Sequence, residues 1–525
     1  DLLSHLVLDV FRFHRFVSFR FVSFWSCGEF FGQIGDQFYG FFMSTTSTRL
    51  GKIQGVTKDG VDTFLGIRYG APVLGARRFM ASEMSDGWPD VFSATSYPNR
   101  AMQDKTLSTL GLPVGGAVDE DCLFLNIARP SSESSLRPVV VWFHGGGFVA
   151  GSANEYDGSV LARQGDVVVV TVNSRLGPFG FLDLSHFGVD YVGSASNGIR
   201  DQILALRWIS ENIEDYGGDP ANVTIVGQSS GGSSVLGLLA CPTADGLYQK
   251  AIACSPTAAY SRKTHRAEDL AERLHCSENE CLDVLLRMPA IDLVALKLGA
   301  RITVDGSVIT RSTFEAIADR GKFGVPLITG TTATEGTLYT KGKAAAHDHY
   351  PGLNQYLARD MLCGDSPHGY LEALRAAYPE ATPGNFHEMV WTDMFRRIAL
   401  TAAELSTVHG VGGWLYRFDL PINHAAGDYV GVPHASDMSF VFNSIANSST
   451  HAYSFHDRSD AVVQQVALAW SNVIVTMART GTPNGSGMHV PVWPRYEPES
   501  RNSLLINERF IVSKDVDSKH LPLWS

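Results

Sequence analysis

Short, mainly apolar runs recur along this chain, each set off by polar stretches rich in turn-forming residues. Pro138 to Phe143, Val167 to Val172, Val223 to Val226, Val325 to Ile328 and Trp414 to Phe418 have the length and character of strands buried on both faces of a parallel sheet. Between the second and third runs the period changes. Ile199, Ile203, Leu206, Ile209 and Ile213 are spaced 4, 3, 3 and 4 apart, which predicts a helix with one apolar face. Gly217-Gly218-Asp219-Pro220 should end it. Earlier, Ile53 and Val56, a Lys58-Asp59-Gly60 turn, then Val61, Phe64 and Ile67 predict a hairpin. Strands alternating with helices predict an α/β fold, a twisted and mostly parallel sheet with helices on both faces.

The first 42 residues break this pattern. They hold 11 of the 29 Phe and contain a near repeat, Phe16-Val17-Ser18-Phe19-Arg20 followed by Phe21-Val22-Ser23-Phe24. No helical or strand period is sustained there, and Arg12, Arg15 and Arg20 interrupt the apolar residues. Two readings stand: an extension ahead of a start at Met43, or a degenerate targeting peptide. The longest uncharged run before Glu29, Phe21 to Gly28, is at the short limit for a signal sequence, and no clean cleavage site follows. We expect residues 1 to 42 to lie outside the fold and 43 to 525 to form one large domain. No fixed-period repeat or Pro/Gly/Ser-rich linker divides the latter.

Candidate chemistry appears at Gly227-Gln228-Ser229-Ser230-Gly231, which fits G-x-S-x-G. The pentapeptide alone is weak, but its context is specific. An apolar strand, Val223 to Val226, leads in, and a small-residue helix containing Val235, Leu238 and Leu239 leads out. Strand, sharp turn and helix make a nucleophile elbow, which exposes the Ser229 hydroxyl where the helix dipole favours negative charge. Upstream, His144-Gly145-Gly146-Gly147-Phe148 follows another buried strand. Bare glycine amides there can face a bound oxygen, as ester cleavage requires.

With these segments in place, the chain resembles the type-B carboxylesterase and cholinesterase family of α/β-hydrolases, from about residue 49 to about residue 510. The resemblance rests on Glu120 to Asn126, Trp142 to Gly151, Asn173 to Phe181, Asn197 to Gly232, Ala478 to Asn484 and Trp493-Pro494. It implies the α/β-hydrolase fold and a serine esterase working through an acyl-enzyme, with no cofactor and no metal. By position it implies Ser229 as nucleophile, Glu335 as triad acid and His434 as general base. Sequence alone does not pick His434 from 17 histidines. It further implies oxyanion donors at Gly146, Gly147 and Ser230, and ion pairs Arg78 with Glu120 and Arg175 with Asp201. Asp437, three residues after His434, is a candidate supporting carboxylate. Cys276 and Cys281 match a family disulfide, either bridged or reduced. Cys122 lacks its family partner, which points to a buried thiol. Cys241, Cys254 and Cys363 read as buried apolar residues.

Three positions depart from the family. Gln228 replaces an acid, residues 99 to 121 contain no aromatic residue, and Ser230 replaces a usual Ala. The first two disfavour a quaternary ammonium substrate. A neutral, fairly apolar ester is the expected substrate. The alternatives are a lipase for longer acyl chains, with 101 to 121 as a lid, and a catalytically inactive, neuroligin-like binding protein.

Composition narrows partners more than chemistry. Lys plus Arg is 42 and Asp plus Glu is 54, a net charge of −12, which excludes general attraction to nucleic acid phosphates. No run of 18 uncharged apolar residues predicts a membrane span. Oligomeric state is open, and the cytoplasm is slightly favoured over secretion. A neutral histidine base implies that kcat/KM falls below about pH 6.5, the unperturbed imidazole range. A pH–rate profile tests this, and a rate flat to two units lower would remove His434 from that role.

Overall fold

The computed structural model describes residues 42–524 apart from 105–114, 133–134, 262–266, 300, 320–323, 342–350, 410, 425–428, 446–454 and 488. Residues 1 to 41 of the expected leader and residues 105 to 114 of the expected lid lie outside the described residues, while Phe42, the last residue assigned to the leader, begins the first strand. From Phe42 onward the chain forms one compact unit.

Thirteen strands form one sheet among the described residues. They are β1 (Phe42–Thr48), β2 (Gly51–Lys58), β3 (Val61–Arg68), β4 (Phe92–Ser93), β5 (Phe124–Pro130), β6 (Arg137–Phe143), β7 (Val168–Val172), β8 (Gly218–Gln228), β9 (Lys250–Cys254), β10 (Leu327–Thr332), β11 (Gly413–Phe418), β12 (Asn502–Ile506) and β13 (Phe510–Lys514). Their order is β1-β2-β3-β5-β7-β6-β8-β9-β10-β11-β12-β13, with β4 beside β2. From β7 to β12 every neighbour is parallel. The remaining neighbours along this order are antiparallel, and β4 runs parallel to β2.

Strand alternation explains the two cores. Along β6, Val139, Val141 and Phe143 join one apolar cluster, while Val140 and Trp142 join the other. The first cluster takes Ile199, Ile203, Leu206 and Ile209 from the Asn197–Asn212 helix, the face that the sequence spacing predicts. The second takes Val463, Val466, Trp470, Val473, Ile474 and Met477 from the Ala461–Thr480 helix. That helix is long and apolar enough to cross a membrane by composition. Its apolar residues instead fill the space against the sheet, so burial in the core accounts for its hydropathy.

Several sequence expectations change in detail. The Ser/Thr run after Met43, outside the strands read from the pattern, is most of β1 and pairs along its length with β2. The strand expected at 325 to 328 runs instead through Leu327–Thr332. Its threonines hid it, yet Thr329, Thr331 and Thr332 are fully buried, and the Thr329 hydroxyl donates to the Ala253 carbonyl at 2.8 Å. The predicted helix ends at Asn212, and Gly218 already begins β8. Strands β5, β9, β12 and β13 lie beyond the runs read from the pattern.

Both expected ion pairs form. Arg78 binds Glu120 through two bonds of 2.6 and 2.8 Å. Arg175 binds fully buried Asp201 at 2.8 Å through both Nε and Nη2. Asp201 also accepts the Arg175 amide, fixing the loop after β7 to the Asn197–Asn212 helix. Asp201→Ala should cost roughly 3–5 kcal/mol, because it strands a buried guanidinium. Urea unfolding of the variant measures this, and a loss under about 1 kcal/mol would contradict it.

Candidate active site

The parallel strands deliver their C-terminal ends to one edge of the sheet, where open α/β sheets bind ligands. β6 ends at Phe143 and runs into His144 and the glycine loop, while β8 ends at Gln228, one residue before Ser229. β9 leads to Ser255 and β10 to Glu335.

Ser229 adopts φ 57° and ψ −125°, a conformation disfavoured for any side-chain-bearing residue. Its amide donates to the Cys254 carbonyl at 2.9 Å, and the Ser230–Leu238 helix starts at the next residue. The flanking glycines are sterically required. A Cβ on Gly231 would lie 2.0 Å from the Phe143 carbonyl oxygen, and one on Gly227 would lie 2.4 Å from the Gly231 backbone. A Cβ on Gly232 would approach the Cys254 oxygen to 2.6 Å.

The loop after β6 is equally tight. Gly146 and Gly147 have φ of 117° and 64°. The Gly146 carbonyl accepts the Val149 and Ala150 amides at 3.1 and 3.0 Å. Among the described residues, the Gly146 and Gly147 amides have no protein acceptor. Both glycines line a cavity of about 280 Å³ together with Ser229, Ser230, Gln228 and His434.

His434 is buried, with Nδ1 2.5 Å from Glu335 Oε2. Glu335 is fully buried and accepts two further bonds at Oε1, from the Ser255 hydroxyl at 2.6 Å and the Thr332 amide at 2.8 Å. The Phe395 ring stacks on the imidazole at 4.6 Å between centroids. The other ring nitrogen, Nε2, faces Gln228 Nε2 at 3.2 Å. Ser229, His434, Gly146, Gly147 and Ser230 therefore meet at one cavity, with Glu335 behind the imidazole. Such a set can deprotonate a hydroxyl, attack a carbonyl carbon and hold the resulting oxyanion.

Among the described residues no hydrogen bond joins Asp437 to His434. Asp437 is buried and accepts the Tyr416 hydroxyl at 2.9 Å. Burial, and then the negative Glu335, push its carboxyl up to about 6. Burial likewise pushes the Cys122 and Cys254 thiols upward. The Cys276 and Cys281 sulfurs lie 3.5 Å apart as free thiols. Cys241 and Cys254 are buried, but Cys363 is only half-buried, in contrast to the expectation of a core residue. Among the described residues no cluster suits a metal ion.

The walls were illegible from the chain. Leu338, Tyr339, Trp391, Met394 and Phe395 line one part of the cavity, and Ser233, Thr257, Arg301 and Ile302 another. The aromatic residues come from 339, from the Pro383–Val408 helix and, at Phe148, from the glycine loop, so the missing aromatics of 99 to 121 do not leave the cavity without rings. Among the described residues no Asp or Glu lines it, whereas Arg301 does. Ser255 was also missed: it follows the unrecognised β9 and carries no local signature. Ser255→Ala removes a bond to a charged group, worth about 1.5–3 kcal/mol. It should lower kcat/KM roughly ten- to a hundredfold with the fold intact, as steady-state kinetics and circular dichroism would show.

The model of the carboxylesterase family matches residues 43–524. A para-nitrobenzyl esterase of Bacillus subtilis is 34% identical over 512 residues, covering 90% of this chain and 96% of that protein. Human cocaine esterase is 30% identical over 503 residues, covering 89% and 87%. A thermophilic para-nitrobenzyl esterase structure superposes with a TM-score of 0.79 at 32% identity, covering 92% of this chain and all of that one.

Proposed function

The chain belongs to the carboxylesterase family, has the α/β-hydrolase fold and hydrolyses carboxylic esters, and we propose that Ser229, His434 and Glu335 carry that reaction. In this reading His434 Nε2 takes the Ser229 proton while Oγ attacks the ester carbonyl carbon. Glu335 holds Nδ1–H and stabilises the imidazolium. The amides of Gly146, Gly147 and Ser230 receive the oxyanion, each worth about 3 kcal/mol in the transition state. His434 then protonates the departing alcohol, and water repeats the sequence on the acyl-enzyme. Residues 43 to 525 act as one domain, because 146, 229, 335 and 434 must all reach the same site.

The observation that carries this reading is the single cavity where Ser229, His434 and the two glycines meet, with Glu335 bonded to the far imidazole nitrogen. The substrate is a neutral, fairly apolar ester. Most of the cavity surface is apolar, and Arg301 is already paired with buried Asp360. At about 280 Å³ the cavity sits at the small end for ligand pockets, which favours short and medium acyl groups. Neither the long-chain lipase nor the inactive binding protein is favoured by the named relatives.

p-Nitrophenyl esters of increasing acyl length test both parts. Activity should peak at short to medium chains, and Ser229→Ala should lower kcat at least about a thousandfold. A mutant as active as the parent would remove Ser229 as nucleophile. A maximum at long chains would return the lipase reading.

A further inference from the structure

Gln228 immediately precedes the elbow serine, and its side chain meets the one imidazole nitrogen that the reaction needs. Its Nε2 lies 3.2 Å from His434 Nε2, and the residue is 2% exposed. Among the described residues, no hydrogen bond links Ser229 Oγ to that nitrogen.

The bond network fixes the sense of the contact. Glu335 already accepts the Ser255 hydroxyl and the Thr332 amide, so as a carboxylate it also accepts from His434 Nδ1. A neutral His434 with its proton on Nδ1 then has a bare lone pair at Nε2. The amide Nε2–H of Gln228 can donate to that lone pair, whereas its Oε1 could not. The backbone packs against the amide from behind: a Cβ on Gly145 would fall 3.0 Å from Gln228 Oε1.

We propose that Gln228 is a positioning residue that holds His434 neutral, in the Nδ1–H tautomer, by donating to Nε2 until Ser229 takes its place. This rests on the reading of His434 as the base. The Ser229 hydroxyl must displace the amide to reach the lone pair. Its proton then passes to Nε2 as Oγ bonds the carbonyl carbon and the π pair moves onto the carbonyl oxygen. A donor at this position opposes protonation of the resting base, whereas an ionised glutamate would stabilise the imidazolium. The glutamine thereby extends activity toward lower pH.

Other groups face the imidazole and must be separated from Gln228. Glu335 holds Nδ1, and Asp437 lies behind it with the Tyr416 hydroxyl and the Cys254 thiol. The Phe395 and Tyr339 rings flank it, and Arg301 lines the same cavity. His144 lies on the glycine loop, where burial lowers its pKa.

The test is the acid limb of kcat/KM against pH for the parent, Gln228→Glu and Gln228→Met, with Asp437→Asn as a background that removes the other titrating carboxyl. Gln228→Glu should move the limb up by roughly one unit or more, the effect of an adjacent opposite charge on an imidazolium. Gln228→Met, which keeps the volume but not the donor, should fall between parent and Glu, and this order should persist in the Asp437→Asn background. NMR titration of His434 in Ser229→Ala protein should give the same order without turnover. A limb that stays in place while the plateau drops would mean a purely structural Gln228 and overturn the proposal. Full activity of Ser229→Ala would instead overturn the reading of the site, which keeps the two failures distinct.

Discussion

The chain has a single residue in which to leave β8 and enter the Ser230–Leu238 helix, and the whole site depends on that turn. Ser229 takes a positive φ because β6 and β9 crowd the elbow from both sides, with the Phe143 and Cys254 carbonyls almost touching Gly231 and Gly232. Such a conformation costs of order 1–3 kcal/mol and persists only when the surroundings over-determine it. Here two buried apolar clusters, one on each face of the sheet, supply that constraint. In return the hydroxyl stands clear of the backbone, at a helix N-terminus and opposite the glycine loop.

The same parallel sheet solves a second problem. Parallel strands point their C-terminal ends the same way, so loops far apart in sequence arrive at one edge. β6 brings the glycine loop, β8 the serine, β9 Ser255 and β10 Glu335. The segment carrying His434 is tied back to this edge, its amide bonded to the Glu335 carbonyl at 3.3 Å. The buried carboxylate of Glu335 is tolerable because donors surround it: a hydroxyl, an amide and the imidazole.

Acidic groups are managed unevenly around this centre. Glu335 is saturated with donors, while Asp437 has one hydroxyl donor and a carboxyl pushed up to about 6 by burial and by Glu335. A third carboxylate in front of the imidazole would compound that repulsion. The position that could have held it is Gln228, which brings a hydrogen-bond donor and no charge.

Much of the layout was legible in the chain, for a physical reason. Strand burial, helix periodicity and glycine sterics act over a few residues, so the runs of β6, β7 and β8, the Asn197–Asn212 helix and the elbow at Ser229 could be read from local pattern. Where a strand is built from threonine and serine in place of aliphatic residues, as in the second half of β10 and in β1, the pattern failed. The partners at the site act across distance. Gln228 meets His434 over 206 residues, and His434 meets Glu335 over 99. The sequence by itself determined the elbow, the glycine loop and the alternation that builds the sheet. Only the tertiary structure decided what stands against His434 and which rings wall the cavity, because those contacts exist only once distant strand ends share an edge.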